Sequence, residues 1–278
     1  MTLERARRPG PTVRTRVHEL TGDGERHHED RLATEEPLEI RLAWPGAPAR
    51  RVWVTMRTPG HDFELAAGWL VHEGLATPDR IAGVAYCTDA DLTPLQEFNV
   101  VTVTLAAPPA RDPGHRHTGL SAGSSACGVC GKDSVDAALE TPTAVETWSG
   151  PLPSPEVVRS LPDLLREQQS VFARTGGVHA AGLATADGEL LVVREDVGRH
   201  NAVDKVTGAR VLTGSSPADA CLVVSGRAGF ELVQKAVAVG TGSLVAVGAP
   251  TSLSVQLAER AGLALYGFVR GDRCVRYC

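Results

Sequence analysis

From residue 176 to the C-terminus, short apolar runs alternate with helical patterns, and nearly every junction carries a glycine. Gly182–Thr185 and Glu189–Arg194 read as strands joined by an Asp187-Gly188 turn. A helix over roughly 198–210 follows, then a buried strand at Ala220–Ser225, a helix at Ala228–Val239 and a strand at Leu244–Gly248. A helix at Ser252–Ala261 and strands at Leu263–Val269 and Cys274–Tyr277 complete the pattern. Such alternation specifies an α/β layer fold with a largely parallel sheet.

In sheets of this kind ligands bind where strand ends meet helix N-termini. Three turns follow a strand and precede a helix: Arg194-Glu-Asp-Val-Gly-Arg199-His200-Asn201, Ser225-Gly-Arg227-Ala-Gly229 and Ala249-Pro250-Thr251-Ser252. They are expected on one edge of the sheet, where Arg199, Arg227, backbone amides and hydroxyls make an anion-friendly rim. His200 and Asn201 stand at a helix start, where they either donate to a bound anion or simply cap the helix. Asp204 and Lys205 are expected as a solvated pair, and Lys235 as a surface partner of Glu231 at i+4. His179, after Gly176-Gly177-Val178, is open to two readings, a ligand or acid, or a histidine satisfied near the sheet end.

The first half has a different rhythm. Residues 1–35 are polar, contain His27-His28-Glu29-Asp30, and read as a mobile tail. Residues 37–56 alternate as a hairpin around Trp44-Pro45-Gly46. Asp62 is the expected N-cap of a helix whose apolar stripe is Phe63, Ala66, Ala67, Leu70 and Val71. Strands near 80–87 and 97–105, a Pro- and Gly-rich stretch at 107–126 and a helix over 155–173 follow. The expected organisation is a tail (1–35), an α+β domain (36–120), a mobile loop and linker (121–150) and an α/β domain (151–278).

Composition narrows the function classes. Hydrophobic residues are 42% of the 278, enough for a core, but aromatics are only 4%, so Val, Leu and Ala must fill it. A net charge of −5 excludes general nucleic-acid binding. No apolar run reaches the length of a membrane span, and no apolar segment follows the Arg-rich N-terminus as a secretory signal requires. Six cysteines in a chain this long do not form a disulfide framework; free thiols in a reducing cytoplasm are the expectation. Cys87 and Cys221, in apolar runs, are expected in the core.

Two cysteines stand apart. Ser121-Ala-Gly-Ser-Ser-Ala-Cys127-Gly-Val-Cys130-Gly-Lys132 has no packing reason to hold a pair of thiols. Three chemistries are open to it. A sulfur carrier needs an exposed thiol of low pKa, which Lys132 and a helix starting at Asp133 would favour. A redox pair normally sits at a strand-to-helix junction. Half a zinc site needs two further ligands, for which His115, His117, Cys274 and Cys278 are irregularly spaced candidates. Ser225-Gly-Arg-Ala-Gly229 lacks the Gly-Lys-Ser/Thr ending of a phosphate-binding loop. Phe268-Val269-Arg270-Gly271-Asp272-Arg273 places two arginines around a glycine between strands, suited to phosphate or a planar base, or to an ordinary charged hairpin.

The motifs taken in order have a counterpart. Met56-Arg-Thr-Pro-Gly-His-Asp-Phe-Glu-Leu-Ala-Ala-Gly, Cys127-Gly-Val-Cys-Gly, Thr175-Gly-Gly-Val-His-Ala-Ala, Arg194-Glu-Asp-Val-Gly-Arg-His-Asn-Ala-Val-Asp-Lys, Ser225-Gly-Arg, Gly248-Ala-Pro-Thr-Ser and Gly267-Phe-Val-Arg-Gly occur in sequence. From about residue 36 onward the chain closely resembles the accessory sulfurtransferases of formate dehydrogenase, the FdhD family.

The resemblance implies a cytoplasmic homodimer whose C-terminal domain has a three-layer cytidine-deaminase-like α/β fold, beside a smaller α+β domain. It implies that persulfide sulfur passes from a cysteine desulfurase to the molybdenum (or tungsten) of a bis(molybdopterin guanine dinucleotide) cofactor, a bound substrate with no permanent cofactor or metal beside it. The sulfurated cofactor then serves formate dehydrogenase. By the same resemblance Cys127 is the persulfide carrier, Cys130 assists or relays, and Phe268–Arg273 contacts the guanine dinucleotide. Two rival expectations remain: a non-catalytic chaperone that binds and delivers the cofactor, and a zinc-dependent hydrolase suggested by the deaminase fold. The latter needs His-x-Glu and Pro-Cys-x-x-Cys, whereas Ala181 stands two residues after His179 and Ala126 precedes Cys127.

Overall fold

A computed structural model describes residues 8–89, 92–94, 96–113 and 146–278. Cys127 and Cys130, with the linker and most of the loop expected around them, lie outside the described residues.

The described residues form three sheets. The first is a ribbon of β1 (Thr12–Thr21) and β2 (Gly24–Ala33), antiparallel around Gly22-Asp23, within the segment read from sequence as a mobile tail. The difference has a physical reason. Both faces of the ribbon are polar and mostly exposed, so no alternation of apolar and polar residues marks the strands.

In the second sheet β3 (Glu36–Trp44) pairs antiparallel with β4 (Ala47–Arg57) and parallel with β6 (Val100–Leu105), while β5 (Ile81–Tyr86) closes the far edge. Leu38, Ile40 and Leu42 alternate inward, fully buried, and pack with Val101 and Val103 against Leu65, Trp69 and Leu70 of α1 (Asp62–His72). Trp53 of β4 stacks on Trp69 with ring centroids 4.8 Å apart. Asp62 does not cap this helix. His61 occupies the cap with left-handed backbone, φ 58°, and the buried Asp62 carboxylate instead accepts from Arg57 Nε at 2.9 Å and from the Tyr86 hydroxyl at 2.7 Å.

The third sheet has the order β12-β11-β10-β9-β7-β8. Its strands are β7 (His179–Ala184), β8 (Leu190–Asp196), β9 (Cys221–Val224), β10 (Ser243–Ala246), β11 (Ala264–Arg270) and β12 (Arg273–Arg276). β9, β10 and β11 run parallel; β7 and β12 are antiparallel to their neighbours. β9 and β10 are buried at every residue because helices cover both faces. On one face α2 (Pro155–Glu167) lays Val158, Leu161 and Leu165 on Ala180, Val223 and Val245. The helix expected over 155–173 breaks at Gln168-Gln169, and a short α3 (Ser170–Thr175) follows, ended by Gly176 in the left-handed region. On the other face lie α4 (Arg199–Leu212), α5 (Phe230–Ala238) and α6 (Ser252–Ala261), contributing Val203, Val206, Leu232 and Leu257 to a second apolar cluster. The result is the expected three-layer α/β unit beside a smaller α+β unit.

The two units meet where α1 lies on α4. A Cβ at Gly68 would fall on the Asp204 carbonyl, 2.8 Å from its carbon and 2.8 Å from Gly208 N. A Cβ at Gly208 would stand 2.8 Å from Glu64 Cα and closer still to its carbonyl. Only glycine lets the backbones approach so closely.

This contact overturns three expectations about α4 and α5. Asp204 and Lys205 are buried, not solvated, because α1 covers the side of α4 that faces away from the sheet. Lys235 is buried too, and its Nζ meets Asp204 Oδ1 at 2.7 Å instead of forming a surface pair with Glu231. The same carboxylate takes a hydrogen bond from His72 Nδ1, whose other ring nitrogen lies 3.1 Å from Thr207 Oγ1. Burial, reinforced by the Lys235 cation, pulls the His72 pKa down, and Lys235 with His72 holds the Asp204 carboxyl below its ordinary value against the opposing effect of burial. At the next residue, Lys205 Nζ meets Asp196 Oδ2 at 2.6 Å and donates to the Thr58 carbonyl at 2.8 Å.

Candidate functional site: a cavity at the carboxyl edge of the sheet

The edge that gathers the strand ends is the one anticipated from the turns. β9, β10 and β11 finish there at Val224, Ala246 and Arg270, β8 finishes there at Asp196, and β7 starts there at His179. The turns at 194–201, 225–229 and 249–252 therefore share this edge. Beneath it opens a cavity of about 800 Å³. Its floor is Val178, Val197, Val247 and Val269, its side wall Pro162, Leu165 and Arg166 of α2 and Phe172 of α3, and its further polar groups Asp163, Gln169, His179, Ser225 and Arg270. A mostly apolar concavity with a few convergent polar groups at strand carboxyl ends is the usual form of a ligand site.

Several of these groups are held by their neighbours. Ala180 N donates to Ser225 Oγ at 2.9 Å and Ser225 N to the Ala180 carbonyl at 3.0 Å, which ties the first turn to β7. Arg166 lies over the Phe172 ring at 4.0 Å, a flat cation–π platform in the wall. Glu195 accepts from the Val171 and Phe172 amides at 2.8 Å each and so anchors α3 to β8. His179 is half-buried. Burial first, then the Arg199 cation and the neighbouring His200, pulls its pKa below the ordinary histidine value, so at neutral pH the ring is a neutral donor and acceptor.

The β11–β12 turn forms the outer lip. Val269 and Arg270 line the cavity. Phe268 adopts φ 52°, a left-handed conformation that a bulky residue rarely takes, and its ring is 40% exposed under the Arg273 guanidinium at 5.3 Å. Gly271 makes the turn at φ 57°, and Asp272 is exposed beside it. Arg227 is exposed on the second turn, where it packs along Gly248, and Arg199 is half-buried near His179.

His200 and Asn201 sit deeper. Asn201 is buried, and its amide donates to the Met56 carbonyl at 2.7 Å and to Asp196 Oδ1 at 3.0 Å. His200 is buried with Nε2 2.6 Å from Glu231 Oε2. Asn201 is thus committed to partners in both units, while His200 is held through Nε2 within the α/β unit and its buried Nδ1 has no hydrogen-bond partner among the described residues. Arg166, Gln169 and Phe172 were not singled out from the sequence, because their helices precede the sheet in the chain and no motif marks them. Cys221 is buried, its thiol pushed up to about 12 by burial. Cys87, expected in the core, is only half-buried just beyond β5, with Arg41 Nη1 3.5 Å from its sulfur.

Comparison with known proteins places this architecture. The sequence model of the FdhD/NarQ family matches residues 33–278. The chain belongs to the FdhD/NarQ family. The match spans both sheet units, including the α/β unit that lines the cavity. A protein of Nocardia farcinica named sulfur carrier protein FdhD is 47% identical over 264 residues, covering 94% of this chain and 91% of that one. The protein of the same name from Mycobacterium tuberculosis is 44% identical over 266 residues, 94% of each chain. A crystal structure from Desulfotalea psychrophila, provisionally described as a formate dehydrogenase accessory protein, superposes with a TM-score of 0.73 at 23% identity, covering 96% of this FdhD/NarQ chain and 97% of that one. At that identity the likeness concerns the fold. No helix among the described residues is long and apolar enough to cross a membrane.

Proposed function

We propose that this chain is a sulfur carrier of the FdhD type that serves formate dehydrogenase. The observation that carries the reading is the near full-length likeness to proteins named sulfur carrier protein FdhD. In the first step the Cys127 thiolate attacks the outer sulfur of a cysteine desulfurase persulfide. The S–S bond of the donor breaks, the donor cysteine leaves as thiolate, and Cys127 becomes the persulfide. Cys130 assists or relays. The sulfur is then delivered to the metal of the bis(molybdopterin guanine dinucleotide) substrate, on a homodimer in the cytoplasm.

The cavity supports binding of one portion of such a ligand, a pterin or a guanine nucleotide. Its volume of about 800 Å³ lies within the usual range for a bound small molecule. Arg166 and Arg270 supply fixed positive charge for an anion, and the exposed Phe268 ring under Arg273 supplies a stacking surface for a planar base. A neutral His179 can donate to or accept from a phosphate or pterin without adding charge.

The test is the intact mass of the protein after incubation with a cysteine desulfurase and cysteine. A reductant-labile gain of one sulfur atom, lost in Cys127→Ala, is expected; a gain that survives that substitution refutes Cys127 as carrier. A second reading rests on the cavity itself, whose arginines and apolar floor can hold a ligand without any thiol. On that reading the chain binds and delivers the cofactor without sulfur chemistry, and Cys127→Ala still restores formate dehydrogenase activity in a strain lacking this protein.

A further inference from the structure

The β1–β2 ribbon carries a group that the sulfur-carrier reading does not use. Antiparallel register places His18 directly opposite His27, and Glu25, two residues from His27, projects from the same face. The two imidazoles meet edge to face with centroids 4.2 Å apart. His18 Nδ1 lies 2.6 Å from Glu25 Oε1, and His27 Nε2 lies 3.8 Å from the same oxygen. The three side chains offer ligand atoms that all fall within 4.8 Å of one another, a convergence not repeated among the described residues.

We propose that His18, Glu25 and His27 bind a divalent cation of the zinc class. Two imidazoles and one carboxylate are a zinc donor set that leaves a fourth position for water. Bonds of about 2.0–2.2 Å place neighbouring ligand atoms of a tetrahedral ion roughly 3.3 Å apart. The observed 2.6 and 3.8 Å straddle that spacing. All three side chains are exposed, so small rotations complete the shell without disturbing any packing. His18 binds through the nitrogen that now faces Glu25. Its ring proton moves to the other nitrogen, and the ion replaces the hydrogen bond between ring and carboxylate.

The ribbon gives such an ion a structural task. An isolated two-stranded hairpin is marginally stable, and polar faces on both sides specify its register weakly. An ion joining residue 18 to residue 27 ties the strands at one register position. The opposite face offers only a pair, His28 Nε2 at 3.7 Å from Glu19, which serves as an internal control. The family match begins at residue 33, beyond the ribbon, so the site stands or falls independently of the proposed sulfur chemistry.

The experiment is zinc titration by calorimetry of the full chain carrying Cys127→Ala and Cys130→Ala, which removes competing thiolates. One ion per chain is expected. Affinity should fall by at least about tenfold in His18→Ala or His27→Ala, a loss that even the hydrogen-bond partner of a ligand can cause. His28→Ala should bind like its parent, and zinc should slow amide exchange across residues 12–33. Absence of zinc uptake, uptake that survives the His18→Ala, His27→Ala pair, or an equal loss in His28→Ala overturns the site.

Discussion

Gly68→Ala is the sharpest probe of how the two sheet units are joined. The new Cβ would lie 2.8 Å from the Asp204 carbonyl carbon and from Gly208 N, and nearer still to the carbonyl oxygen. These are backbone atoms in helical interiors, so no side chain can rotate away. To restore contacts of about 3.5 Å the helices must part by about 1 Å along much of the crossing. Overpacking of a tight core costs about 1–3 kcal/mol, and separation here also stretches the bonds of Lys205 to Thr58 and of His72 to Asp204. Against this stands about 1 kcal/mol gained from replacing glycine by alanine within a helix. The two packing figures leave about 0–2 kcal/mol, the two stretched bonds add about 1 kcal/mol each, and a net loss of about 2–4 kcal/mol is expected, read as a fall in the urea midpoint of the full chain. Gly83→Ala, with open space around its Cβ, should not lower the midpoint. Gly68→Ala and Gly208→Ala should combine with less than additive cost, since either one parts the same helices. A Gly68→Ala protein as stable as the parent would refute the close crossing.

Three other outcomes follow from the described contacts. Burial alone would raise the Glu64 pKa, but hydrogen bonds from Arg194 and His61 lower it from 4.5 to about 2. The carboxylate therefore contributes stability that is complete above 4.5 and is lost as pH falls toward 2. The gap converts to on the order of 3 kcal/mol, cut by solvent screening to about 1–2 kcal/mol; the urea-measured cost of Glu64→Gln should appear at neutral pH and shrink between pH 5 and pH 2, and a cost independent of pH would count against the ion pair. Asp204→Asn strands the buried Lys235 ammonium and should cost about 3–5 kcal/mol, with much of that recovered when Lys235→Met is added; a midpoint within about 1 kcal/mol of the parent would contradict the buried charge cluster. Phe268→Gly should raise stability by about 1 kcal/mol through release of its left-handed backbone, yet weaken guanine nucleotide binding measured by calorimetry; unchanged affinity removes that ring from the binding surface.

The α/β alternation of the second half was legible because each element obeys one periodicity. The runs around Leu222 and Leu244 are continuous and apolar, as strands covered on both faces must be, and Gly or Asp-Gly marks their ends. The sheet edge was legible for the same reason: three turns of one type, strand to helix, must fall on one side of a parallel sheet. What escaped were properties set by a second layer. Asp204, Lys205 and Lys235 read as solvated because isolated charges on helices usually are. The apolar positions of α4, at 202, 203, 206, 209 and 211, span little more than half of the helix circumference and leave Asn201, Asp204, Lys205 and Gly208 together on the remaining arc, where a wet face is the ordinary reading. Gly208 alone on that arc marks the close approach of another helix. The ribbon escaped because two polar faces carry no periodicity at all. The cavity wall escaped because Arg166 and Phe172 belong to helices that no motif marks and whose position depends on the completed sheet.

That wall has a consequence for how a ligand is acquired. Pro162, Leu165 and Arg166 come from the first helix of the α/β unit, and Val269 and Arg270 from its last hairpin. No contiguous fragment holds both. A ligand here can be gripped only after the last strand has docked, so occupancy reports completed folding. A chain that lacks either element lacks one wall of the cavity.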